Sequence, residues 1–202
     1  MPTIDELYWE TRYHKRETGW DIGSASDPII NFAHELGHKN ASILIPGCGN
    51  AHEVDTLLNL GFEDISVIDF ATVPLKELAK RQAEAVESGR LKIFCGDFFE
   101  HKGSYDLILE QTFFCAINPG QRQLYAQKMN ELLKPKAKLA GLLFNFEFPL
   151  EGPPFGGSKE EYHEHFSPYF KILTMEPCQN SIKPRLGKEL IFILQKPELV
   201  LI

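Results

Sequence analysis

The sequence SILIPGCGN at residues 42–50 decides the predicted fold. Its apolar run is bounded by a proline and two glycines, which predicts a buried strand that ends in a tight turn. Gly47 and Gly49 can adopt backbone angles closed to other residues, and without side chains they let a ligand lie against the main chain. Apolar residues at helical spacing from 51 to 60 predict a helix directly after the turn, with Gly61 as its terminator.

A carboxylate follows this turn at a spacing typical of nucleotide-binding units. A second predicted strand, residues 65–68, ends at Asp69, twenty residues after Gly49. In α/β nucleotide-binding units an acid at this spacing binds the hydroxyls of a ribose, so we predict a ligand that contains an adenosine. His52 occupies the third glycine position of G-x-G-x-x-G, so the dinucleotide fingerprint is incomplete. The alternative is a plain strand-to-helix turn, with Asp69 capping the next helix.

Length and charge favour one domain that acts on a small molecule. We assign all 202 residues to a single α/β domain. The net charge is −7 and the basic residues are scattered, so the footprint of a nucleic-acid-binding protein is missing. No run approaches the roughly 18 apolar residues of a membrane span. Four separated cysteines, without a C-x-x-C pair or a secretory leader, predict reduced thiols and a cytoplasmic location.

The rest of the chain alternates predicted strands with predicted helices. Strands are predicted at 91–95, 105–109, 139–146, 169–175 and 189–195, and helices at 28–36, 74–88, 121–133 and 158–166. This order predicts a Rossmann-like, doubly wound parallel sheet with right-handed crossovers, and the last two strands predict an antiparallel edge. Ligands bind such sheets outside the carboxyl ends of the strands. The Gly47 loop, Asp69, Asp97 and Gln111 all fall there, so we predict that they converge on one cleft.

Both tryptophans lie in the first thirty residues, ahead of the first strand. Asp5 is predicted to cap a helix on which Trp9 and Tyr13, four residues apart, share one face. Trp20 follows in a glycine-bounded loop. One interpretation is an aromatic helix packed over the core. The other is a lid, residues 1–30, that closes over a ligand and excludes water.

Other catalytic patterns are missing from the sequence. His163 and His165 are two residues apart, so on a helix they point to different faces, and we predict no metal site. No serine stands in a G-x-S-x-G elbow, and no G-K-[ST] follows the Gly47 loop.

Ordered sequence blocks resemble the thiopurine S-methyltransferase family of class I S-adenosylmethionine-dependent methyltransferases. The blocks are YWETRY at 8–13, GWD at 19–21, IPGCG at 45–49, GDFF at 96–99, AINP at 116–119 and GPPF at 152–155. Within the family, FFCAI at 113–117 is more similar to the thiol/halide methyltransferase branch than to the thiopurine branch. The resemblance implies a seven-stranded, mostly parallel sheet with an antiparallel last strand.

The resemblance also implies a cofactor, S-adenosyl-L-methionine, with S-adenosyl-L-homocysteine as its product. The implied cofactor-binding residues are Trp9, Tyr13, Trp20, Gly47, Gly49, Asp69, Phe70, Asp97, Phe98 and Gln111. The implied acceptor-binding residues are Trp20, Phe114, Phe144 and Phe155. The family usually has Asp-Arg or Asp-Tyr where this chain has Glu110-Gln111.

The chemistry implied by the family needs little from the protein. Direct displacement at a sulfonium methyl requires an in-line nucleophile about 3 Å away and the exclusion of water. An alkyl thiol with a pKa near 8.5 is partly ionised at neutral pH, and sulfide, thiocyanate or a halide needs no base, so we predict no catalytic base. We expect a methyltransferase that acts on a small soft nucleophile, as a monomer or homodimer. A non-catalytic binding module, suggested by Gln111, and an NAD-linked oxidoreductase, disfavoured by the missing third glycine, are the alternatives.

Overall fold

Residues 4–34, 36–149 and 152–198 are described by the structure, a computed structural model of the chain. Residues 1–3 of the predicted lid, residue 35 of the helix predicted at 28–36 and residues 199–202 of the predicted domain lie outside this description. The strands are β1 Ser42–Pro46, β2 Asp64–Asp69, β3 Leu91–Cys95, β4 Tyr105–Gln111, β5 Leu133–Phe144, β6 Lys171–Pro177 and β7 Glu189–Gln195.

Seven α-helices are described, together with two short 3₁₀ turns. The helices are α1 Glu6–Lys15, α2 Asp27–His34, α3 His52–Asn59, α4 Thr72–Arg81, α5 Ala83–Glu87, α6 Arg122–Leu132 and α7 Lys159–Phe166. The longest of them, α6, has 11 residues. In the described part of the chain, no helix has the length and apolarity needed to cross a membrane.

The strands form one sheet in the order β3-β2-β1-β4-β5-β7-β6. Pairing is parallel from β3 to β5, and β7 is antiparallel to both β5 and β6. The predicted doubly wound sheet with an antiparallel last strand is confirmed. The antiparallel strand is not at the edge, however, because β7 inserts between β5 and β6. The edge strand β6 therefore runs parallel to β1–β5.

Two predicted elements differ from the structure. The helix predicted at 74–88 is divided at Gln82, whose φ of −116° is not helical. The side chains of Arg81 and Gln82 both donate to the Asp55 carboxylate of α3, which holds the chain at this break. The strand predicted from 139 begins at Leu133, opposite Tyr105, and a register shift separates this start from the regular pairing. The start of β5 is thus set by pairing with β4, a long-range contact that the local sequence pattern does not show.

Helices cover both faces of the sheet, as a mostly parallel sheet requires. In β1, Leu44 packs on the face that carries Tyr125 of α6 and Phe166 of α7. Its neighbours Ile43 and Ile45 pack on the other face, with residues of α2, α3 and α4. Each such fully buried side chain contributes about 1.5–3 kcal/mol to the free energy of unfolding. The core fixes β1, and β1 positions the loop that follows it.

Candidate active site

A cavity of about 650 Å³ opens at the carboxyl edge of the sheet. Three of the four positions predicted to converge there, Gly47, Asp69 and Asp97, line it, and Gln111 does not. Eight of the ten predicted cofactor-binding residues lie in its wall: Trp9, Tyr13, Trp20, Gly47, Asp69, Phe70, Asp97 and Phe98. The sheet therefore brings most of the predicted site together in one place.

The loop after β1 is shaped by two glycines in left-handed conformations. Gly47 has φ 56° and Gly49 has φ 51°. A Cβ on Gly47 would lie 2.5 Å from Cγ and 2.8 Å from Cβ of Phe113, and a Cβ on Gly49 would lie 2.6 Å from the Tyr13 hydroxyl. Because side chains have no room here, the main chain of this loop forms the wall. Gly49 itself lies beneath Tyr13 and does not line the cavity.

Asp69, at the end of β2, joins the loops on both sides of it. Oδ2 accepts the backbone N–H of Gly49 at 2.8 Å, and Oδ1 accepts that of Ala71 at 2.8 Å. Burial raises the pKa of Asp69, against the lowering effect of these N–H groups. The carboxylate does not cap α4 at Thr72, because Glu10 of α1 accepts the backbone N–H of Thr72 at 2.7 Å instead. Asp69 thus faces the cavity with two fixed oxygens.

Asp69→Ala is expected to weaken cofactor binding by roughly 1–3 kcal/mol, the scale of a lost hydrogen bond to a charged group. Calorimetric titration with S-adenosylhomocysteine measures this directly. Asp64→Ala is the matched control, because Asp64 begins the same strand at the opposite end and pairs with Lys92 at 2.7 Å. Equal affinities for the two variants would contradict a ligand contact at Asp69.

Asp97 and Phe98 lie at the end of β3. The Asp97 side chain accepts the backbone N–H of Phe99 at 2.8 Å and so caps the short 3₁₀ turn that follows. Phe98 is buried, and its ring packs against Phe113 with centroids 5.1 Å apart. These residues give the cavity one polar and one apolar group beside Phe70.

Glu110 organises the loop after β4 from below the cavity. It is fully buried, and its Oε1 accepts the backbone N–H groups of Phe113 at 2.9 Å and Phe114 at 3.1 Å. Its Oε2 accepts the hydroxyl of Tyr125 at 2.6 Å. Burial raises the pKa of Glu110 to about 7. The glutamate that departs from the family pattern therefore has a structural role, because it places Phe113 in the cavity wall.

Four predicted site residues lie outside the cavity wall: Gly49, Gln111, Phe114 and Phe155. Phe114 is 1% exposed, because its ring packs into the core against Tyr125 with centroids 4.9 Å apart, and its neighbour Phe113 lines the cavity instead. Phe155 is held back by a hydrogen bond from its N–H to the carbonyl of Cys115, while the preceding two prolines line the cavity. Gln111 has its Oε1 buried without a hydrogen-bond partner among the described residues.

The segment before β1 covers the cavity with aromatic side chains. Trp20 makes edge contacts with Trp9 and Tyr13, with ring centroids 5.4 Å and 5.7 Å apart. None of the residues of α1 is fully buried, and Trp9 and Tyr13 of this helix line the cavity. A helix packed over the core and a lid over a ligand both remain predictions. Asp21 fixes the segment to the β1 loop, because it accepts the Asn50 amide and lies 2.9 Å from Nε2 of His52.

The side of the cavity beyond β5 was largely missed from the sequence. Phe144 was predicted, but Phe146 and Phe148 join it to form an aromatic wall, with Phe146 and Phe148 centroids 4.4 Å apart. Their alternation along 144–148 is a signal that the sequence does contain. Arg185 and Lys188, from the linker between β6 and β7, also line this side, and no local pattern marks them.

Comparison with known proteins identifies the family. The model of the family described as "Thiopurine S-methyltransferase (TPMT)" matches residues 4–196. "Probable thiol methyltransferase 2" of Arabidopsis thaliana is 29% identical, over 90% of this chain and 81% of the relative. "Thiocyanate methyltransferase 1" of Brassica oleracea is 28% identical, over 93% and 84%. Both names agree with the predicted likeness to the thiol/halide branch.

A solved structure shows the same fold. It is 1,6-didemethyltoxoflavin-N1-methyltransferase of Burkholderia thailandensis, crystallised with S-adenosylhomocysteine. Its TM-score is 0.77 at 18% identity, over 96% of this chain and 87% of that one. The family match leaves the NAD-linked oxidoreductase without support.

The cavity residues suit S-adenosylmethionine. Asp69 offers a fixed carboxylate, and the Gly47 loop leaves its main chain open. Trp9 and Trp20 line the cavity, and aromatic rings favour a sulfonium cation. The sequence, the sheet and the cavity agree with the family match. The chain belongs to the thiopurine S-methyltransferase family and is an S-adenosylmethionine-dependent methyltransferase.

Proposed function

We propose that the chain transfers the methyl group of S-adenosylmethionine to a small soft nucleophile by direct in-line displacement. The acceptor is a thiol, sulfide, thiocyanate or a halide. One observation carries this proposal: the side of the cavity beyond β5 is aromatic, and its described residues include no carboxylate or histidine that could act as a base. A nucleophile that is already ionised, or nearly so, fits such a site. The names of the two plant relatives support the same class of acceptor.

Cys115, in the loop after β4, also lines the cavity and could hold a proton, but it does not suit a base. Burial, followed by the charge of Glu110, raises the pKa of Cys115 well above its ordinary value. Its thiol donates to the carbonyl of Thr112 at 3.3 Å. Cys115 therefore stays protonated and lines the cavity as a small apolar group. An acceptor thiol with a pKa near 8.5 supplies its own thiolate.

We assign the cofactor to the part of the cavity next to β1–β3. Asp69 binds the ribose hydroxyls, the Gly47 loop lies against the methionine part, and Asp97 and Phe98 lie beside the adenine. Phe70 completes this wall. Gln111 lies outside the wall, and its contact with the methionine end stays a prediction, supported by a buried oxygen that has no partner among the described residues. When bound, S-adenosylmethionine supplies an electrophilic methyl group on its sulfonium.

The protein orients the reactants and excludes water. Trp9, Tyr13 and Trp20, within residues 1–30, act as the lid, and Glu10 and Asp21 fix it to α4 and to the β1 loop. Burial, followed by the nearby charge of Asp69, raises the pKa of Tyr13, so its phenol stays neutral. Phe144 and the rest of the aromatic wall enclose the acceptor. Exclusion of water protects the methyl group from hydrolysis and leaves the acceptor as the nucleophile.

The remaining features of the proposal concern the whole chain. Residues 1–202 form a single methyltransferase domain that acts on a small molecule, without nucleic acid, in the cytoplasm, as a monomer or homodimer. The negative net charge of −7 supports the absence of a nucleic-acid partner.

The experiment combines binding with methyl transfer. Calorimetric titration with S-adenosylhomocysteine, with NAD as the control, should show micromolar binding of the first ligand alone. Transfer of a labelled methyl group to thiocyanate, iodide, sulfide and a set of thiols then identifies the acceptor. Binding without transfer to any of them would favour the non-catalytic module suggested by Gln111. Absence of binding would contradict the proposal.

A further inference from the structure

The charged residues that line the cavity differ from side to side. The segment before β1 contributes both signs, with Asp5, Arg12 and Glu17. Asp69 and Asp97 lie on the side formed by the loops after β2 and β3. On the opposite side, the described residues from β5, the following loop and the β6–β7 linker include two cations, Arg185 and Lys188, and no anion. This positive side is the one that the proposed function gives to the acceptor.

Arg185 is largely buried, but its hydrogen-bond partners do not account for all of its N–H donors. Its side chain is 11% exposed, and one terminal nitrogen donates to the carbonyl of Trp20 at 2.6 Å. The other terminal nitrogen lies 3.4 Å from Oε1 of Glu189. A strong charge-assisted hydrogen bond is shorter, at about 2.7–2.9 Å. Among the described residues these are its hydrogen-bond partners, and a guanidinium has five N–H donors.

Arg185 lines the cavity, and its remaining donors are not buried. The buried side-chain nitrogens and oxygens that lack a partner in the described chain are Gln111 Oε1, Arg122 Nε and Ser181 Oγ, and none belongs to Arg185. The guanidinium carbon lies 5.5 Å from the ring centroid of Phe144, which also lines the cavity. Its free N–H groups thus lie beside the aromatic wall.

Arg122 is a structural arginine with which Arg185 can be compared. It pairs with Glu161 and donates to the carbonyl of Gly156 at 2.7 Å, and it does not line the cavity. Arg185, in contrast, has one long contact with a carboxylate and faces the site. Lys188 adds a second positive charge, with Nζ 5.9 Å from the ring centroid of Phe146.

We propose that Arg185 binds an anionic acceptor between its guanidinium and the aromatic wall, and so selects soft anions over neutral nucleophiles. This inference rests on the proposed function and adds a specificity-determining residue to it. A guanidinium is weakly hydrated and planar, so it suits large, weakly hydrated anions such as thiocyanate or a thiolate better than an ammonium does. Because Arg185 also holds the Trp20 carbonyl, the acceptor lies next to the cover of the cavity.

The test measures anion binding rather than turnover alone. Arg185→Met, Arg185→Lys and the control Lys183→Met are titrated with ¹³C-labelled thiocyanate, with and without saturating S-adenosylhomocysteine, and the NMR line width gives the affinity. Lys183 is exposed in the same linker and lies outside the cavity wall. Lys183→Met therefore removes one positive charge from the linker without changing a residue that lines the cavity. Arg185→Met should lose about 10- to 100-fold in thiocyanate affinity, the scale of hydrogen bonds to a charged group. Arg185→Lys should lose less, and Lys183→Met should match the unmodified protein.

Three results would overturn the assignment of Arg185. Equal losses in Arg185→Met and Lys183→Met would mean that only the general charge of the linker matters. If Arg185→Met loses affinity for S-adenosylhomocysteine but binds thiocyanate normally when saturated with S-adenosylhomocysteine, Arg185 binds the cofactor carboxylate rather than the acceptor. Unchanged affinities for both ligands would leave it a structural residue. Failure of the unmodified protein to bind S-adenosylhomocysteine would instead contradict the proposed function, and the titrations without it would still decide whether Arg185 binds an anion.

Discussion

Gly47→Ala is expected to lower the affinity for S-adenosylhomocysteine by about 100-fold, or about 2.7 kcal/mol. The residue has φ 56°, a left-handed conformation that costs a side chain about 1–2 kcal/mol. The new Cβ would also lie 2.5 Å from Cγ of Phe113. Phe113 cannot easily move, because Glu110 holds its N–H. The clash therefore displaces the main chain against which we place the methionine part of the cofactor.

Gly61→Ala separates this clash from the cost of the backbone angle. Gly61 has φ 87°, a Cβ there would meet nothing within 4 Å, and the residue lies outside the cavity wall. Thermal unfolding should show a loss of stability in both variants, whereas calorimetry should show lost affinity for Gly47→Ala alone. If Gly47→Ala binds as tightly as Gly61→Ala, the glycine serves only the turn.

The sheet and the centre of the site could be predicted because their signals are local. Residues 42–50 carry the strand, the turn and both glycines within nine positions, and the acid at Asp69 follows at a fixed spacing. Parallel strands then bring their carboxyl ends to one edge, so Gly47, Asp69 and Asp97 meet without further information. The aromatic pattern of the first thirty residues suggested Trp9, Tyr13 and Trp20 as a lid, and the resemblance to the family implied their contact with the cofactor. All three line the cavity.

The rest depends on contacts that no local pattern encodes. Phe113 and Phe114 are adjacent and identical in type. In the loop that Glu110 holds through both of their N–H groups, Phe113 lines the cavity and Phe114 packs into the core. Arg185 meets Trp20 across 165 positions of the chain, so its place in the site follows from tertiary structure alone. The insertion of β7 inside the sheet is likewise decided by pairing with β5.

Glu110→Ala is expected to reduce the free energy of unfolding by about 3 kcal/mol or more, because each buried polar group left without a partner costs about 1–3 kcal/mol. Truncation would leave the N–H groups of Phe113 and Phe114 and the hydroxyl of Tyr125 without their acceptor. Glu110→Gln is the matched variant, because its amide oxygen can still accept both N–H groups. In urea unfolding at pH 5, the free energy of unfolding of Glu110→Gln should lie between those of Glu110→Ala and the unmodified protein. Equal stability of Ala and Gln would show that the hydrogen bonds of Glu110 contribute little.

The pH dependence of stability follows from the same carboxyl. Burial raises the pKa of Glu110 to about 7, above the value of about 4.3 for an unfolded chain. Between these values the native state retains a proton that the unfolded state releases, so the free energy of unfolding should fall as pH rises, by roughly 4 kcal/mol in total. Glu110→Gln cannot ionise and should lack this fall, so its stability relative to the unmodified protein should rise from pH 5 to pH 8. Parallel unfolding curves for the two proteins across that range would mean that Glu110 is already ionised at pH 5, with its charge stabilised by Tyr125 and the two backbone N–H groups.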